Sequence, residues 1–184
     1  MNRVLDLLVS GCATAVLSPV MIGIAVAVKL ESPGPAIYTQ TRVGRGGRPF
    51  RVLKFRSMVQ DADQQGPYFT AKGDPRVTRV GAVLRKTSLD ELPQLVNVLR
   101  GEMSLVGPRP DVPAQRSLYD ETEWRDRHRV RPGLTGLAQA TLRSDATPQQ
   151  RKALDLQYAN EHNLLLDVKV LLLTVRQVLG RGSY

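Results

Sequence analysis

Two acids stand side by side at Asp90-Glu91 in "RKTSLDELPQLVNVLRG" (85–101), and around them the chain gathers arginines. Arg85 precedes the pair on the same stretch, and Arg109 follows it, bracketed by Pro108 and Pro110 in "GPRPD" (107–111). A proline-bracketed arginine has a stiff backbone and suits bidentate binding of phosphate. A carboxylate among arginines stays ionised at neutral pH. Two adjacent acids can share a Mg²⁺, which prefers oxygen ligands and substrate phosphates. Carboxylates, a divalent metal and arginines together are equipment for phosphoryl transfer, with the acid as ligand or as nucleophile. The competing reading is structural. Ser88-Leu89-Asp90-Glu91 fits an S-x-x-E capping box, and taken alone the pair reads as a helix cap.

The elements that must position these residues are legible in outline. Val77, Val80, Val83 and Leu84 recur at helical spacing over 76–86, and a second helix follows over 88–101 with Gly101 as its stop. Upstream, the turn cluster Ser32-Pro33-Gly34-Pro35 precedes two β-like runs, 36–42 and 49–56, on either side of "VGRGG". That pattern predicts a hairpin. The hairpin is densely basic, and most of its cations read as a solvated, lipid-facing surface. Lys54 and Arg56 lie where it meets the polar region and are candidate phosphate ligands. Residues 58–78 read as loop, 116–131 as a charged, solvent-facing helix or loop, and 131–140 as a turn-rich connection with tight backbone. The tail 163–179 is apolar but interrupted by Asp167, Lys169 and Arg176, so it is a core helix or an interfacial one.

Ahead of all this, 22 consecutive residues from Leu7 to Val28 carry no charge. That exceeds the roughly 18 residues of a transmembrane candidate. Asp6 and the length of the run argue against a cleaved signal peptide. Pro19 lacks an N–H and crowds the preceding turn, and Ser18 can bond back to a carbonyl there. Arg3 lies before the run, and Lys29, Arg42, Arg45 and Arg48 lie after it. The positive-inside rule therefore pulls both flanks to one face. The residues alone leave a re-entrant helix and a spanning helix with a tolerated proline equally open.

The chain has 184 residues and a formal charge of +9, which suits an anionic partner. Aromatics are only 5%, and no zinc-finger spacing, RNP aromatics or GXXG loop occurs, which argues against nucleic acid. Beside a bilayer segment, anionic lipid and phosphate ligands fit better. The single cysteine, Cys12, excludes an intramolecular disulfide and reads as a small core residue. His128 and His162 stand at no ligand spacing and read as surface residues. No Walker A, GxGxxG or GxSxG motif is present.

Four segments, "SPGPAIYTQTRVGRGGRPFRVLKFRSM", "LRKTSLDELPQLVNVLRGEMSLVGPRPD", "RPGLTGLAQ" and "LLLDVKVLLLTV", occur in the order found in bacterial sugar transferases. The chain resembles the small monotopic phosphoglycosyl transferases that act on polyprenol phosphate, over essentially its whole length. The fold implied is α+β and mainly helical. It has an N-terminal re-entrant membrane helix (1–30), with the helix break at Ser18-Pro19. A cytosolic membrane-associated catalytic domain (31–184) follows, with a small β-hairpin and interfacial amphipathic helices. The reaction implied moves a sugar-1-phosphate from a UDP-sugar to undecaprenyl phosphate and releases UMP, as the first membrane step of bacterial glycan assembly. By resemblance Asp90 is the nucleophile, forming a phosphosugar-aspartate intermediate, and Glu91 pairs with it around Mg²⁺. By the same resemblance Lys54, Arg85 and Arg109 serve phosphate or nucleotide, and Arg56 stands beside them as the phosphate candidate read from the residues. The implied partners are the UDP-sugar, undecaprenyl phosphate and the phospholipid bilayer, with a homodimer allowed and no nucleic acid. The implied location is the cytoplasmic face of the bacterial inner membrane. The family's usual "VNGR" after "PGITGxxQ" is missing. "ATLRSDATPQQRK" stands there with Arg143 as the nearest arginine, so N-acetylated hexosamines, bacillosamine-type sugars and galactose all remain open as the donor sugar. The rival is a non-catalytic basic protein that binds membrane surfaces.

Overall fold

The computed structural model describes residues 3–62, 65–66, 73–142 and 147–180. The chain is mainly helical, at 61%. Its first helix, α1 (Arg3–Glu31), runs on through Pro19, and Ser18 donates its hydroxyl to Ala15 O at 2.8 Å. One stripe of α1 faces the protein. Asp6, Ser10 and Val28 are buried there, and Ala13, Leu17, Met21 and Ile24 pack partly buried between them. That recurrence every three or four residues is a single helix face. The other faces are apolar and open: Val16 is 75% exposed and Leu30 82%. An apolar surface of this extent marks contact with a membrane or a partner. Cys12, expected in the core, is exposed, because it falls on this outward side.

Both ends of α1 rest on the same body. Arg3 donates to Val98 O at 2.6 Å and Leu99 O at 2.9 Å. The fully buried Asp6 accepts from Leu105 N at 2.9 Å and from Ser104 Oγ at 3.0 Å. At the far end Val28 packs with Phe55 and Leu84, and the Glu31 carboxylate takes Val80 N at 3.1 Å.

The expected hairpin forms from β1 (Ile37–Val43) and β2 (Pro49–Phe55), antiparallel with Tyr38 opposite Lys54. Its tip is a short 3₁₀ turn, Arg45–Gly47, in which Gly46 has φ 66°. Then come α2 (Arg79–Thr87), a 3₁₀ turn over Leu89–Glu91, and α3 (Gln94–Arg100), which Gly101 stops at φ 85°. β3 (Ser104–Val106) pairs in parallel with β4 (Gly133–Thr135). A 3₁₀ stretch over Pro113–Leu118 and α4 (Glu121–Arg127) lie between these strands. α5 (Leu137–Leu142), α6 (Pro148–Glu161) and α7 (Leu164–Gly180) complete the fold.

The main core gathers Val52, Leu95, Val98, Met103, Leu105, Val106, Tyr158 and Val170. β3 and β4 meet so closely that a Cβ on Gly133 would stand 2.1 Å from Gly107 N, so only glycine fits there. The tight backbone expected over 131–140 is this contact. The stretch expected to be solvent-facing over 116–131 is only partly so. Arg127 and His128 are buried, because α4 turns its last residues inward against α6. His162 is exposed, as expected.

Candidate active site

Lys54 reaches the carboxylates from β2, five residues along the strand from Pro49. Its Nζ lies 2.6 Å from Glu91 Oε1 and 4.0 Å from Asp90 Oδ2. Arg109 comes from the loop after β3 and donates to the same Glu91 Oε1 at 2.9 Å. One glutamate oxygen thus holds two cations. Among the described residues Asp90 accepts no hydrogen bond and has Lys54 as its nearest ion-pair partner, at 4.0 Å.

This division shows in the protonation equilibria. Burial would raise the Glu91 carboxyl, but Arg109 and Lys54 outweigh it and hold the group down to about 2. Burial dominates at Asp90 and pushes its carboxyl up; Glu91 adds to the rise, while Lys54, Arg85 and Arg109 oppose it. Burial also lowers the Lys54 ammonium, with Glu91 resisting. Adjacent acids with values driven apart are a sign of separate chemical tasks.

The backbone beneath the pair is unusual. Ser88 closes α2 in the left-handed region at φ 57°, and its side chain makes no capping bond to the turn that follows. The capping box therefore does not form. The left-handed residue turns the chain sharply, and the two carboxylates face the cations of β2 and the 107–111 loop. A non-glycine residue held there costs about 1–2 kcal/mol, and such strain concentrates at functional sites.

Arg109 is held from behind. Its carbonyl accepts from Arg127 Nη2 at 2.8 Å, and the next carbonyl, Pro110 O, accepts from Arg42 Nη1 at 3.0 Å. Arg127 also pairs with Asp111 and, at 2.7 Å, with Asp155 of α6. Arg127 and Asp155 lie far apart in sequence and in no motif, so no sequence signal joined them to the site. Burial pushes Asp111 up to about 6 despite Arg127.

Arg85 donates from Nε to Ser57 Oγ at 2.8 Å, and its charge acts on Asp90. The structure sets Arg56 apart from the carboxylates. Its guanidinium is spent on carbonyls where α1 ends, at Pro33 O, at Ser32 O (2.7 Å) and at Val28 O (3.4 Å). That is the arrangement by which a cation satisfies a helix C-terminus. Arg143 lies outside the described residues.

A model of the bacterial sugar transferase family matches residues 1–181. The chain belongs to the bacterial sugar transferase family. By class it is a phosphoglycosyl transferase. One similar protein is the UDP-glucose:undecaprenyl-phosphate glucose-1-phosphate transferase of Caulobacter vibrioides. It is 47% identical over 185 residues, which cover 97% of this chain and 69% of the relative. The UDP-N-acetylgalactosamine-undecaprenyl-phosphate N-acetylgalactosaminephosphotransferase of Aeromonas hydrophila is 45% identical, over 99% of this chain and 44% of its own length. The exopolysaccharide production protein PSS of Rhizobium leguminosarum bv. phaseoli is 44% identical, over 100% and 97%. Of these three relatives the chain spans about two thirds of the first, under half of the second and nearly all of the third.

Proposed function

We propose that this sugar transferase moves a sugar-1-phosphate from a UDP-sugar to undecaprenyl phosphate through a covalent intermediate on Asp90. The observation that carries the reading is the split between the two acids: Glu91 absorbs both cations, and Asp90 keeps its oxygens free of hydrogen bonds among the described residues. An Asp90 oxygen attacks the sugar-bearing phosphorus, and the bond from that phosphorus to the bridging oxygen breaks. UMP leaves with that electron pair. An oxygen of undecaprenyl phosphate then attacks the same phosphorus and expels the carboxylate, restoring Asp90. Lys54, Arg85 and Arg109 offset the negative charge that gathers when a carboxylate meets a diphosphate.

Asp90 and Glu91 would hold Mg²⁺. No group of three or more His, Cys, Asp or Glu fit for a metal occurs among the described residues. Two carboxylates nevertheless fit an ion that habitually keeps water and substrate oxygens. When bound, Mg²⁺ would neutralise phosphate charge.

We also propose a re-entrant membrane helix (1–30) with the catalytic body (31–184) on the cytoplasmic face; the docking of both α1 ends on one body supports the re-entrant reading, with α1 continuous through Pro19 rather than broken there. The exposed apolar sides of α1 and of α7, where Leu165 is 80% exposed, supply the membrane contact. Two relatives carry glucose and N-acetylgalactosamine in their names. Glucose therefore joins the hexosamines as a candidate donor sugar.

The test is transfer of radiolabel from a panel of UDP-sugars to undecaprenyl phosphate. Asp90→Asn is expected to lower turnover by at least about 10³-fold while membrane association persists. Equal yields from wild type and variant would refute the catalytic assignment. With the lipid withheld, mass spectrometry should find a sugar-phosphate adduct on Asp90.

A further inference from the structure

A second basic cleft opens at the other end of the hairpin. It encloses about 530 Å³ between the hairpin tip, the α3–β3 turn and the segment leading into β4, and Arg45, Arg48, Arg131 and Glu102 supply its charge. The centre described above lies five residues further along β2, about 17 Å at 3.3 Å per residue.

The walls are fixed. Gly46 N donates to His128 O at 2.7 Å, and Arg45 Nε donates to Arg129 O at 3.1 Å, so the tip is tied to the end of α4. Arg131 Nε donates to Gly101 O at 3.1 Å. Arg45 and Arg131 are thus each anchored through Nε. Among the described residues, both terminal nitrogens of each remain unused, and Arg48 has no side-chain partner. The one acid, Glu102, already accepts from Asn97 Nδ2 at 2.7 Å through Oε2. Guanidinium forks fixed at the stem and open at the tip are suited to the oxygens of a phosphate. Three cations against one acid select a ligand with negative charge. The cleft also adjoins the membrane helix. Arg3, in the first turn of α1, stands 3.4 Å from where a Cβ on Gly101 would lie, and Gly101 lines the cleft.

We infer that this cleft binds a phosphate group, and that its ligand is the headgroup of an anionic phospholipid beside the first turn of α1. The lipid source is favoured over a free anion by that neighbourhood and by the open apolar flank of α1, where Val4 is 60% exposed and Leu8 60%. The cleft takes no part in the proposed transfer; it seats the protein on charged membrane.

The experiment uses the full chain in flotation with vesicles of phosphatidylcholine, alone or with one fifth phosphatidylglycerol. Three proteins are compared: wild type, Arg45→Gln/Arg48→Gln/Arg131→Gln, and the charge-matched control Lys86→Gln/Arg125→Gln/Arg151→Gln. About 1 kcal/mol per basic residue at an anionic surface corresponds to about fivefold per arginine. The cleft variant is expected to lose at least tenfold of the preference for phosphatidylglycerol vesicles, and the control to keep it. Equal losses in both variants would overturn the site, because net charge alone would then explain the attraction. In a parallel arm, thermal unfolding is followed with inorganic phosphate. If phosphate stabilises wild type but not the cleft variant while vesicle preference stays the same, the lipid assignment is overturned in favour of a soluble anion. Transfer assayed in detergent is expected to be unchanged in the cleft variant. Loss of the proposed transferase activity in wild type would therefore leave this result standing, and the reverse also holds.

Discussion

Asp90 and Glu91 show how two adjacent acids acquire different work from what surrounds them. Glu91 is clamped by Lys54 and Arg109 and stays ionised down to about 2. Asp90 is buried with its nearest cation at 4.0 Å, and its carboxyl rises above the ordinary 3.8. The protonated acid cannot attack phosphorus, so the acid limb of kcat/KM should lie above 3.8. Lys54 is a cation that lowers the Asp90 value. Lys54→Met should therefore raise it and move the acid limb to higher pH as well as lowering the rate. A pH–rate profile measures both, and a limb that stayed in place would remove Lys54 from the electrostatics of Asp90. These residues were legible because their types announce their chemistry and they sit in recognisable strings. Arg56 has the same charge and lies close by in sequence, yet its guanidinium donates to carbonyls at the end of α1. Charge can be read from a string of letters, but the direction in which a long side chain turns cannot. His128 departs from its surface expectation for the same reason. Its polar neighbours suggested surface, while its ring packs against Trp124 at 4.0 Å between centroids.

At the scale of elements, the 3₁₀ turn carrying the acids depends on Ser88. Serine is tolerated in the left-handed region, and a β-branched side chain much less so. Ser88→Val should destabilise the chain by about 1–2 kcal/mol, read by denaturant unfolding, and should depress transfer beyond the loss of folded protein. Ser88→Gly should be neutral or slightly stabilising. The hairpin, α2, α3 and the glycine stop at Gly101 were evident from alternation, helical spacing and turn residues. The β3–β4 pair was not. Each strand is three residues long, too short for any period, and they meet in parallel across 26 intervening residues. The S-x-x-E pattern describes a cap only when its serine is itself extended, and Ser88 is left-handed instead. For α1 the prediction concerns which side its ends occupy. In a Cys12→Ala background, cysteines placed at residues 2 and 60 should label from the same compartment. Opposite labelling would establish a spanning helix.

For the whole molecule, α4, α6 and the 107–111 loop are joined through Arg127, whose buried charge meets Asp111 and Asp155. Breaking a buried pair by removing one partner typically costs about 3–5 kcal/mol. Arg127→Met should therefore lower the midpoint of unfolding sharply. The same region makes stability depend on pH in two opposed ways. Burial holds the His128 imidazole down to about 4, against an ordinary 6.5. Its contribution is complete above pH 6.5 and is lost as pH falls toward 4. Asp111 is raised from 3.8 to about 6, so its contribution is present below 3.8 and is lost as pH rises through 6. The gap in Tm between wild type and His128→Gln should accordingly be widest above pH 6.5 and narrow on acidification to 4. A gap that widened would reverse the sign assigned to His128.

The bond between Asp6 and Leu105 N closes over 99 residues of sequence. A ribosome adding 5–20 residues each second therefore releases α1 about 5–20 s before its acceptor exists. During that interval a greasy nascent helix carries an uncompensated carboxylate. Its final seat is settled only when β3 emerges, so α1 is synthesised well before β3 yet locked only after it.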